Sequence, residues 1–163
     1  MLIRVAEKAD VSAMLQIYNR VVERSPAVLD IHPKSMTDWE EWFSRHNVGN
    51  HPILVAVIDG AVAGYVSLSK YREKEGYAST VELSIYVGEV YRRRGVASAL
   101  MSEIISLARA DERIHSIISV ITEVNDASRG LHKKFGFEHC GRVREAGEKF
   151  GRYLDIDYYQ LLV

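Results

Sequence analysis

The chain has 163 residues, of which 47% are hydrophobic and 26% are charged, and its formal net charge at pH 7 is −1. Such a length and composition are typical of one globular domain, and a charge near zero gives no general attraction to nucleic acid or to an anionic membrane. No stretch approaches the ~20 apolar residues of a membrane-spanning helix, and the first residues lack the pattern of a signal peptide. We therefore expect a cytoplasmic protein that binds neither nucleic acid nor membrane.

The cysteine and histidine content predicts no metal site. Cys140 is the single cysteine, so an internal disulfide is excluded, and no Cys or His spacing is typical of zinc ligands. We expect Cys140 to be a reduced thiol with a packing role rather than a nucleophile.

The first third of the chain predicts a strand and two helices. Residues 2–6 are typical of a short strand, and Asp10 is a suitable N-cap for a helix with an apolar face from Val11 to Val22. Thr37 and Glu40 match the capping-box pattern, which predicts a second short helix over residues 35–46. The segment 25–33 between the two helices is predicted to be extended.

A hairpin and a further strand follow. Residues 53–58 and 61–69 flank Asp59-Gly60, a dipeptide that suits a tight turn. The stretch TVELSIYV, residues 80–87, alternates with a period of two. One predicted face carries Val81, Leu83, Ile85 and Val87. The other carries Glu82, Ser84 and Tyr86.

The remaining elements alternate between helix and strand. A helix is predicted from about Gly95 to Arg109, a central strand over residues 116–122, and a helix from Asn125 or Asp126 to Phe135. Residues 137–143 and 153–163 predict the last two strands. Because no linker divides the chain, we expect a single α/β domain over residues 1–163 with a mixed central sheet.

Three arginines stand directly before the predicted start of the third helix. A helix N-terminus favours an anion because its first N–H groups are unpaired, and Gly95 has no Cβ to obstruct a ligand. The run Arg92-Arg93-Arg94 would screen a pyrophosphate. A phosphorylated cofactor is therefore one interpretation, and a solvated arginine cluster is the other.

The order of these segments resembles the GNAT acetyltransferase superfamily. Its acetyl-CoA loop has the form Q/R-x-x-G-x-G/A, which residues 92–97 match, and the strand VELSIYV lies directly before that loop. The segment NDASRGLHKKFGF, residues 125–137, is similar to the family's second motif. RVAEKADVSAMLQIYN and EKFGRYLDI further resemble the phosphinothricin and methionine sulfone or sulfoximine N-acetyltransferases. This resemblance implies a GNAT-like domain with a mostly antiparallel sheet and helices on its faces.

The resemblance also implies an activity: an amine attacks the thioester of acetyl-CoA, the cosubstrate, without a covalent acyl-enzyme. The strand before the loop would separate from its neighbour and bind the pantetheine arm. The implied cofactor-binding residues are Ile85, Tyr86, Val87, Arg92, Arg93, Arg94, Gly95, Val96, Ala97, Ser98, Asn125, Ser128 and His132. His132 stands where many relatives carry a tyrosine that protonates the leaving thiolate, so it is either a cofactor contact or a proton donor.

On the amine side, the resemblance assigns Glu82 as a general base that acts through a water. The alternative is a strand glutamate paired with an arginine. The implied substrate-binding residues are Arg72, Lys74, Tyr77, Thr80, Glu82 and Ser84. A solvated loop explains the charges of residues 72–74 equally well. Residues 149–153 match a signature that closes the pocket or packs the dimer in this group. We expect the protein to be a homodimer.

The segment Val28 to Pro33 departs from the group, where phenylalanine, an acid and Thr-Glu-Pro are usual. We expect it to lack the aromatic ring and the acid beside the substrate, so another amino acid or a peptide N-terminus stays an alternative substrate. A CoA-binding module without catalysis is a second hypothesis. Nucleic-acid binding through the arginines is a third, and the near-zero net charge disfavours it.

Overall fold

The computed structural model describes residues 1–163, which form one seven-stranded sheet with helices on both faces. The strands are β1 (Leu2–Val5), β2 (Ile53–Ile58), β3 (Ala61–Lys70), β4 (Thr80–Val87), β5 (Ser116–Thr122), β6 (Glu138–Lys149) and β7 (Arg152–Leu162). The α-helices are α1 (Val11–Arg24), α2 (Met36–Ser44), α3 (Val96–Ala110) and α4 (Asp126–Lys134). None of the helices combines the length and apolar character needed to cross a lipid bilayer.

The sheet has the order β1-β2-β3-β4-β5-β7-β6, and β4 with β5 is its one parallel pair. The predicted mixed, mostly antiparallel sheet is therefore confirmed, as is the central place of β5. The β4–β5 ladder runs only from Thr80–Ser116 to Glu82–Ile118. Beyond Glu82 the two strands separate, which is the divergence that the resemblance implies.

Two apolar clusters lie on opposite faces of the sheet. On one face α3 packs Leu100, Met101 and Ile104 against β-strand residues that include Val81 and Leu83. On the other face α1 and α2 pack against β2 and β3, with Met14, Trp39 and Tyr65 buried. The alternation predicted for β4 is confirmed, because Ile85 and Val87 pack with the α3 cluster and Tyr86 packs with the other.

The caps of the first two helices differ from the prediction. Asp10 precedes α1, but its carboxylate binds Arg4 at 2.6 and 2.8 Å and the Glu7 N–H at 2.8 Å, so it caps no helical N–H. The capping box of α2 is formed by Ser35 and Asp38 instead of Thr37 and Glu40. Several adjacent polar residues could serve as the cap of each helix, so the sequence pattern alone does not decide which of them forms the hydrogen bonds.

The last hairpin is longer than predicted, and its cysteine is not packed. β6 continues to Lys149 through a register irregularity between Val143 and Gly147. The expected packing role of Cys140 is wrong, because β6 is an edge strand and the thiol is exposed on it. The end of α4 agrees with expectation, since Phe135 is its C-cap and Gly136 adopts φ 85°.

Candidate active site

A cleft opens where β4 and β5 separate. Its volume is about 490 Å³, and its walls are β4, β5, the loop before α3, the first turns of α3 and α4, and the end of α1 with the residues that follow it. Most of the residues that the sequence assigned to the cofactor line it together: Ile85, Tyr86, Val87, Arg92, Arg93, Gly95, Val96, Ala97, Ser98, Asn125, Ser128 and His132. On its β5 side, the β4 backbone beyond Glu82 has no strand partner, so it can pair with an extended ligand.

The loop at the mouth of this cleft has the backbone of an anion site. Arg93 and Gly95 both adopt left-handed conformations, with φ 60° and 80°, and Gly95 is the N-cap of α3. Alternating backbone conformations of this kind turn successive N–H groups toward one point. Nothing lies within 4 Å of the position that a Cβ on Gly95 would take. The loop therefore offers an open, cationic helix N-terminus.

Arg94 does not share this arrangement. It is absent from the lining of the cleft, and its guanidinium lies 5.8 Å from the centre of the Tyr91 ring. The left-handed turn at Arg93 lets neighbouring side chains of the run take different directions. The structure therefore brings Arg92 and Arg93 to the cleft and separates the third arginine from them.

A second cavity, also of about 490 Å³, lies between α1, α2 and the β3–β4 hairpin. Its lining includes Tyr18, Asp30, Lys34, Trp39, Trp42, Tyr65, Ser67, Ser69, Ser84 and Tyr86. Ser84 and Tyr86 line this cavity and the cleft, so the two spaces meet along β4. A molecule in one space would be in reach of a molecule in the other.

Aromatic rings form much of this second cavity. Tyr86 meets the Tyr18 ring edge-on at 5.2 Å and the Tyr65 ring at 5.3 Å, and Trp39 stacks on Trp42 at 4.7 Å. None of Tyr18, Trp39, Trp42 and Tyr65 is among the site residues predicted from the sequence. The signal that was available is the i, i+3 spacing of Trp39 and Trp42, which places both rings on one helix face.

Comparisons with known proteins identify the family to which the chain belongs. The sequence profile of the acetyltransferase (GNAT) family matches residues 14–137. The chain belongs to this family. It is 38% identical over 160 residues to the L-methionine sulfoximine/L-methionine sulfone acetyltransferase of Pseudomonas aeruginosa, covering 98% of this chain and 92% of that one.

Two solved structures agree with this assignment. A phosphinothricin acetyltransferase from Sinorhizobium meliloti, in complex with acetyl-CoA, superposes with a TM-score of 0.94 and 31% identity over 99% of this chain and 88% of that one. A ribosomal-protein-alanine N-acetyltransferase from Brucella melitensis has a TM-score of 0.95 and 37% identity over the full length of both chains. The protein is thus an acetyl-CoA-dependent N-acetyltransferase, with acetyl-CoA as its cosubstrate.

The GNAT cleft holds His132 in a fixed and neutral form. Its Nδ1 lies 2.7 Å from the Ser128 carbonyl, which can only accept, so Nδ1 carries the proton. Burial lowers the pKa of His132, and its Nε2, 2.9 Å from Ser119 Oγ, therefore accepts the Ser119 hydroxyl hydrogen. Both ring nitrogens are engaged, so His132 has no free N–H with which to protonate the thiolate.

Glu82 lies on β4 one row beyond Ser84, on the face that carries Ser84 and Tyr86. It is partly buried, and burial alone raises the pKa of its carboxyl, with no charged neighbour contributing. The alternative of a glutamate paired with an arginine is therefore not seen. A carboxylate with a raised pKa and no cation beside it is a suitable proton acceptor.

The loop between β3 and β4 contributes no lining residue to either space. Arg72, Lys74 and Tyr77 are exposed, and the Arg72 guanidinium rests 5.7 Å from the centre of the Tyr77 ring. Thr80, the first residue of β4, does not line the cavity either. Since Thr80 and Tyr86 are six residues apart on an extended strand, about 20 Å separates that loop from the junction. Of the predicted substrate residues, Ser84 alone lines the cavity.

The segment Val28 to Pro33 does supply an acid, contrary to expectation. Asp30 lines the aromatic cavity, where it accepts a hydrogen bond from the Tyr18 hydroxyl and pairs with Lys34 Nζ at 3.2 Å. The residue at the preceding position, Leu29, is aliphatic as the sequence indicates. The segment therefore lacks the aromatic ring, as expected, but it does carry an acid.

The β6–β7 hairpin holds this segment in place. Lys149, which is 3% exposed, donates from Nζ to the carbonyls of Ser25 at 3.0 Å and Val28 at 2.8 Å. A Cβ on Gly147 would lie 2.6 Å from Leu29 Cδ1, so the absence of a side chain there lets Leu29 pack against β6. The last strands thus fix the position of Asp30 from a distance of more than a hundred residues in sequence.

Proposed function

We propose that the protein transfers an acetyl group from acetyl-CoA directly to the primary amine of a small amino-acid-like substrate such as phosphinothricin, methionine sulfone or methionine sulfoximine. The observation that carries this proposal is the meeting of the two spaces at Ser84 and Tyr86. One space suits an extended phosphorylated molecule and the other suits a small molecule. The names of the Pseudomonas and Sinorhizobium relatives supply the substrate class.

The cleft residues would orient the thioester. Arg92, Arg93 and the N–H groups at the start of α3 would hold the pyrophosphate, and the unpaired edge of β4 would bind the pantetheine arm as an added strand. The free N–H of Tyr86 or Val87 would then polarise the thioester carbonyl. Holding both reactants in this geometry removes much of the entropic part of the barrier.

Glu82 would take the amine's extra proton through one water. The neutral amine attacks the carbonyl carbon, the new C–N bond forms, the C–S bond breaks, and CoA leaves as a thiolate. The second proton, which the nitrogen loses as it becomes an amide, passes to this thiolate and gives the CoA thiol. Because the pKa of a thiol is near 8.5, the thiolate can leave without an acid. This agrees with a neutral His132 whose two ring nitrogens are both hydrogen-bonded. The raised pKa of Glu82 brings it closer to that of an ammonium group, which makes the proton transfer less unfavourable.

Release of CoA thiol with a panel of amines tests this proposal. The panel contains phosphinothricin, methionine sulfone, methionine sulfoximine, common amino acids, polyamines and short peptides. Turnover on the first three is the expected result. Turnover confined to peptides that begin with alanine would instead favour the peptide N-terminus, an alternative that the name of the Brucella neighbour supports. Tight CoA binding without turnover on any amine would overturn catalysis and leave a CoA-binding module.

We also propose that the protein is a homodimer. The β6–β7 hairpin exposes apolar side chains that a monomer leaves in water, with Val143 48%, Phe150 59% and Tyr153 63% exposed. A second copy packed on this face would cover them. Light scattering after size exclusion measures the mass directly, and Phe150→Glu is expected to shift a dimer to the mass of one chain; a wild-type mass near 18.5 kDa would contradict the proposal.

A further inference from the structure

A buried histidine that the proposed mechanism does not use lies behind the acceptor cavity. His46 follows α2, is 7% exposed, and lies 2.8 Å from the Trp42 carbonyl through Nδ1 and 2.8 Å from Ser69 Oγ through Nε2. Ser69 itself lines the cavity. The histidine thus reaches the cavity only through the serine hydroxyl.

The partners of His46 determine which way each hydrogen bond runs. A carbonyl oxygen only accepts, so Nδ1 must donate to Trp42, and a neutral imidazole then has a bare Nε2. Burial lowers the pKa of His46, with Arg45 and His51 acting in the same direction, while β3 contributes the neutral hydroxyl of Ser69. Ser69 therefore donates its single hydrogen to His46. Its oxygen can only accept on the cavity side.

The register of the sheet places this acceptor beside the proposed base. Ser69 on β3 is the direct cross-strand partner of Glu82 on β4, and the rows that follow pair Ser67 with Ser84 and Tyr65 with Tyr86. Side chains of directly paired residues share a face, with their Cβ atoms about 4.5–5.5 Å apart. One water is the right size to bridge a serine oxygen and a carboxylate at that spacing.

We propose that His46 fixes Ser69 as an acceptor-only hydroxyl, and that Ser69 and Glu82 together orient the water that receives the amine's proton. The water donates one hydrogen to Glu82 and the other to Ser69, which leaves its lone pair directed at the substrate ammonium. The ammonium proton passes to the water as the water's own proton passes to Glu82, so the water is regenerated. Ser69 binds the proton-carrying water, and His46 is a positioning residue.

This inference rests on the proposed function, since it needs Glu82 to act as the base. It also predicts a pH effect with a definite sign. When His46 gains a second proton at low pH, Nε2 becomes a donor, and Ser69 must turn its hydrogen toward the cavity. The water then loses one of its two acceptors. The acidic limb of the rate profile should therefore contain the ionisation of His46 in addition to that of Glu82.

The test compares kcat and KM for the amine and for acetyl-CoA in wild type, Ser69→Ala, Ser69→Thr and His46→Phe. Phenylalanine keeps the ring that packs 4.4 Å from Trp42 while removing both nitrogens. Loss of one orienting hydrogen bond, about 0.5–1.5 kcal/mol, predicts a roughly twofold to tenfold fall in kcat for Ser69→Ala and His46→Phe. Ser69→Thr keeps the hydroxyl and should retain most of the rate. The KM for acetyl-CoA should not change.

Two further readouts separate a positioning role from a structural one. The double variant should be no slower than either single variant, because the two side chains act as one unit, and the histidine ionisation should vanish from the pH profile in both single variants. His51→Asn, which changes a neighbouring histidine outside the proposed pair, should leave that limb in place. If His46→Phe fails to fold, Ser69→Ala and Ser69→Thr carry the test alone.

The failures of the two proposals are distinguishable. Equal rates for Glu82→Gln and wild type would overturn the base and the inference with it. A slow Glu82→Gln together with a Ser69→Ala variant that keeps the wild-type rate and pH profile would overturn the inference alone. Additive losses in the double variant would likewise show that His46 does not act through Ser69.

Discussion

The cleft beside α3 and the aromatic cavity beneath α2 have similar volumes, yet they are built from different parts of the chain. The cleft uses mainly residues 83–98, whose backbone forms the loop before α3 and the open edge of β4, together with residues of β5, α4 and the end of α1. The cavity uses side chains from α1, the segment after it, α2, β3 and β4. This division suits a family whose members share one cosubstrate and differ in their amines. The backbone of the cleft can stay the same while the side chains of the cavity are replaced.

The largest expected effect on binding comes from closing the backbone site of the cleft. Gly95→Val places a branched side chain where the anion would bind, and blocking two charge-assisted hydrogen bonds of about 1.5 kcal/mol each should weaken acetyl-CoA binding about a hundredfold. Gly60→Val is the matched control, since both glycines adopt φ 80° with open space at the Cβ position. Calorimetric titration with CoA should therefore separate two variants of equal strain, and equal affinities would refute the loop assignment.

Removing the proposed base should affect chemistry and leave binding intact. Glu82→Gln is expected to lower kcat by about 10²–10³ at neutral pH, with little change in either KM. The rate of the wild type should fall as the pH falls through the raised pKa of Glu82, because only the carboxylate accepts a proton, and this limb should be lost in the variant. A variant profile that keeps that limb would assign it to another group.

The same substitution has a predicted effect on stability. A folded-state pKa above the unfolded value means that the native state binds the proton more tightly, so ionisation of Glu82 opposes folding at neutral pH. Glutamine removes this penalty. Thermal unfolding at pH 7 should therefore show Glu82→Gln at least as stable as wild type, which also excludes misfolding as the cause of lost activity.

The contrast between the two spaces also explains what the sequence could predict. Residues 85–98 lie on one strand, one loop and one helix start. Their spacing predicts an anion site at that helix start, with a solvated arginine cluster as the alternative, and the resemblance adds the pantetheine contacts and the separation of β4 from β5. The sequence did not show that Arg94 lies apart from Arg92 and Arg93, because the direction of each side chain in the run depends on backbone dihedral angles. A site built from consecutive residues can therefore be predicted well from their order in the sequence.

The acceptor cavity depends on contacts that sequence spacing does not encode. Tyr18 and Asp30 meet through a hydrogen bond, and Lys149 fixes the segment that carries Asp30. The resemblance assigned the charged loop containing Arg72 to the substrate, but no residue of this loop lines the cavity. Pairings such as His46 with Ser69 become visible only when the register of the sheet and the end of α2 are both known.

A smaller effect, confined to the amine, is expected from moving the segment that carries Asp30. Gly147→Ala forces Leu29 to shift, because the new Cβ would lie 2.6 Å from its Cδ1. We expect the KM for the amine to rise about threefold to tenfold, as for one weakened hydrogen bond, while the KM for acetyl-CoA stays constant. Gly130→Ala in α4, which has an ordinary helical backbone and open space at the Cβ position, is the control. A matching rise in both KM values would contradict the separation of the two spaces.

The smallest effect on either KM should come from the ion cluster at the far end of the sheet, although its effect on stability is large. Asp157, which is 1% exposed, accepts hydrogen bonds from Arg142 at 2.8 Å twice and from His139 at 2.9 Å, and these partners hold the pKa of its carboxyl well below the usual range. A depressed pKa stabilises the fold above the unfolded value near 4, and that contribution is lost as the pH falls through the folded pKa.

Asp157→Asn should therefore lower the free energy of unfolding at pH 7 by about 2–3 kcal/mol, a value set below that of a fully buried pair because Arg142 is partly exposed. Urea unfolding should show the gap between variant and wild type shrinking below about pH 4. Both KM values should stay unchanged, because Asp157 lines neither the cleft nor the aromatic cavity. A selective rise in the KM for acetyl-CoA would instead show that β7 transmits strain through β5 to the cleft.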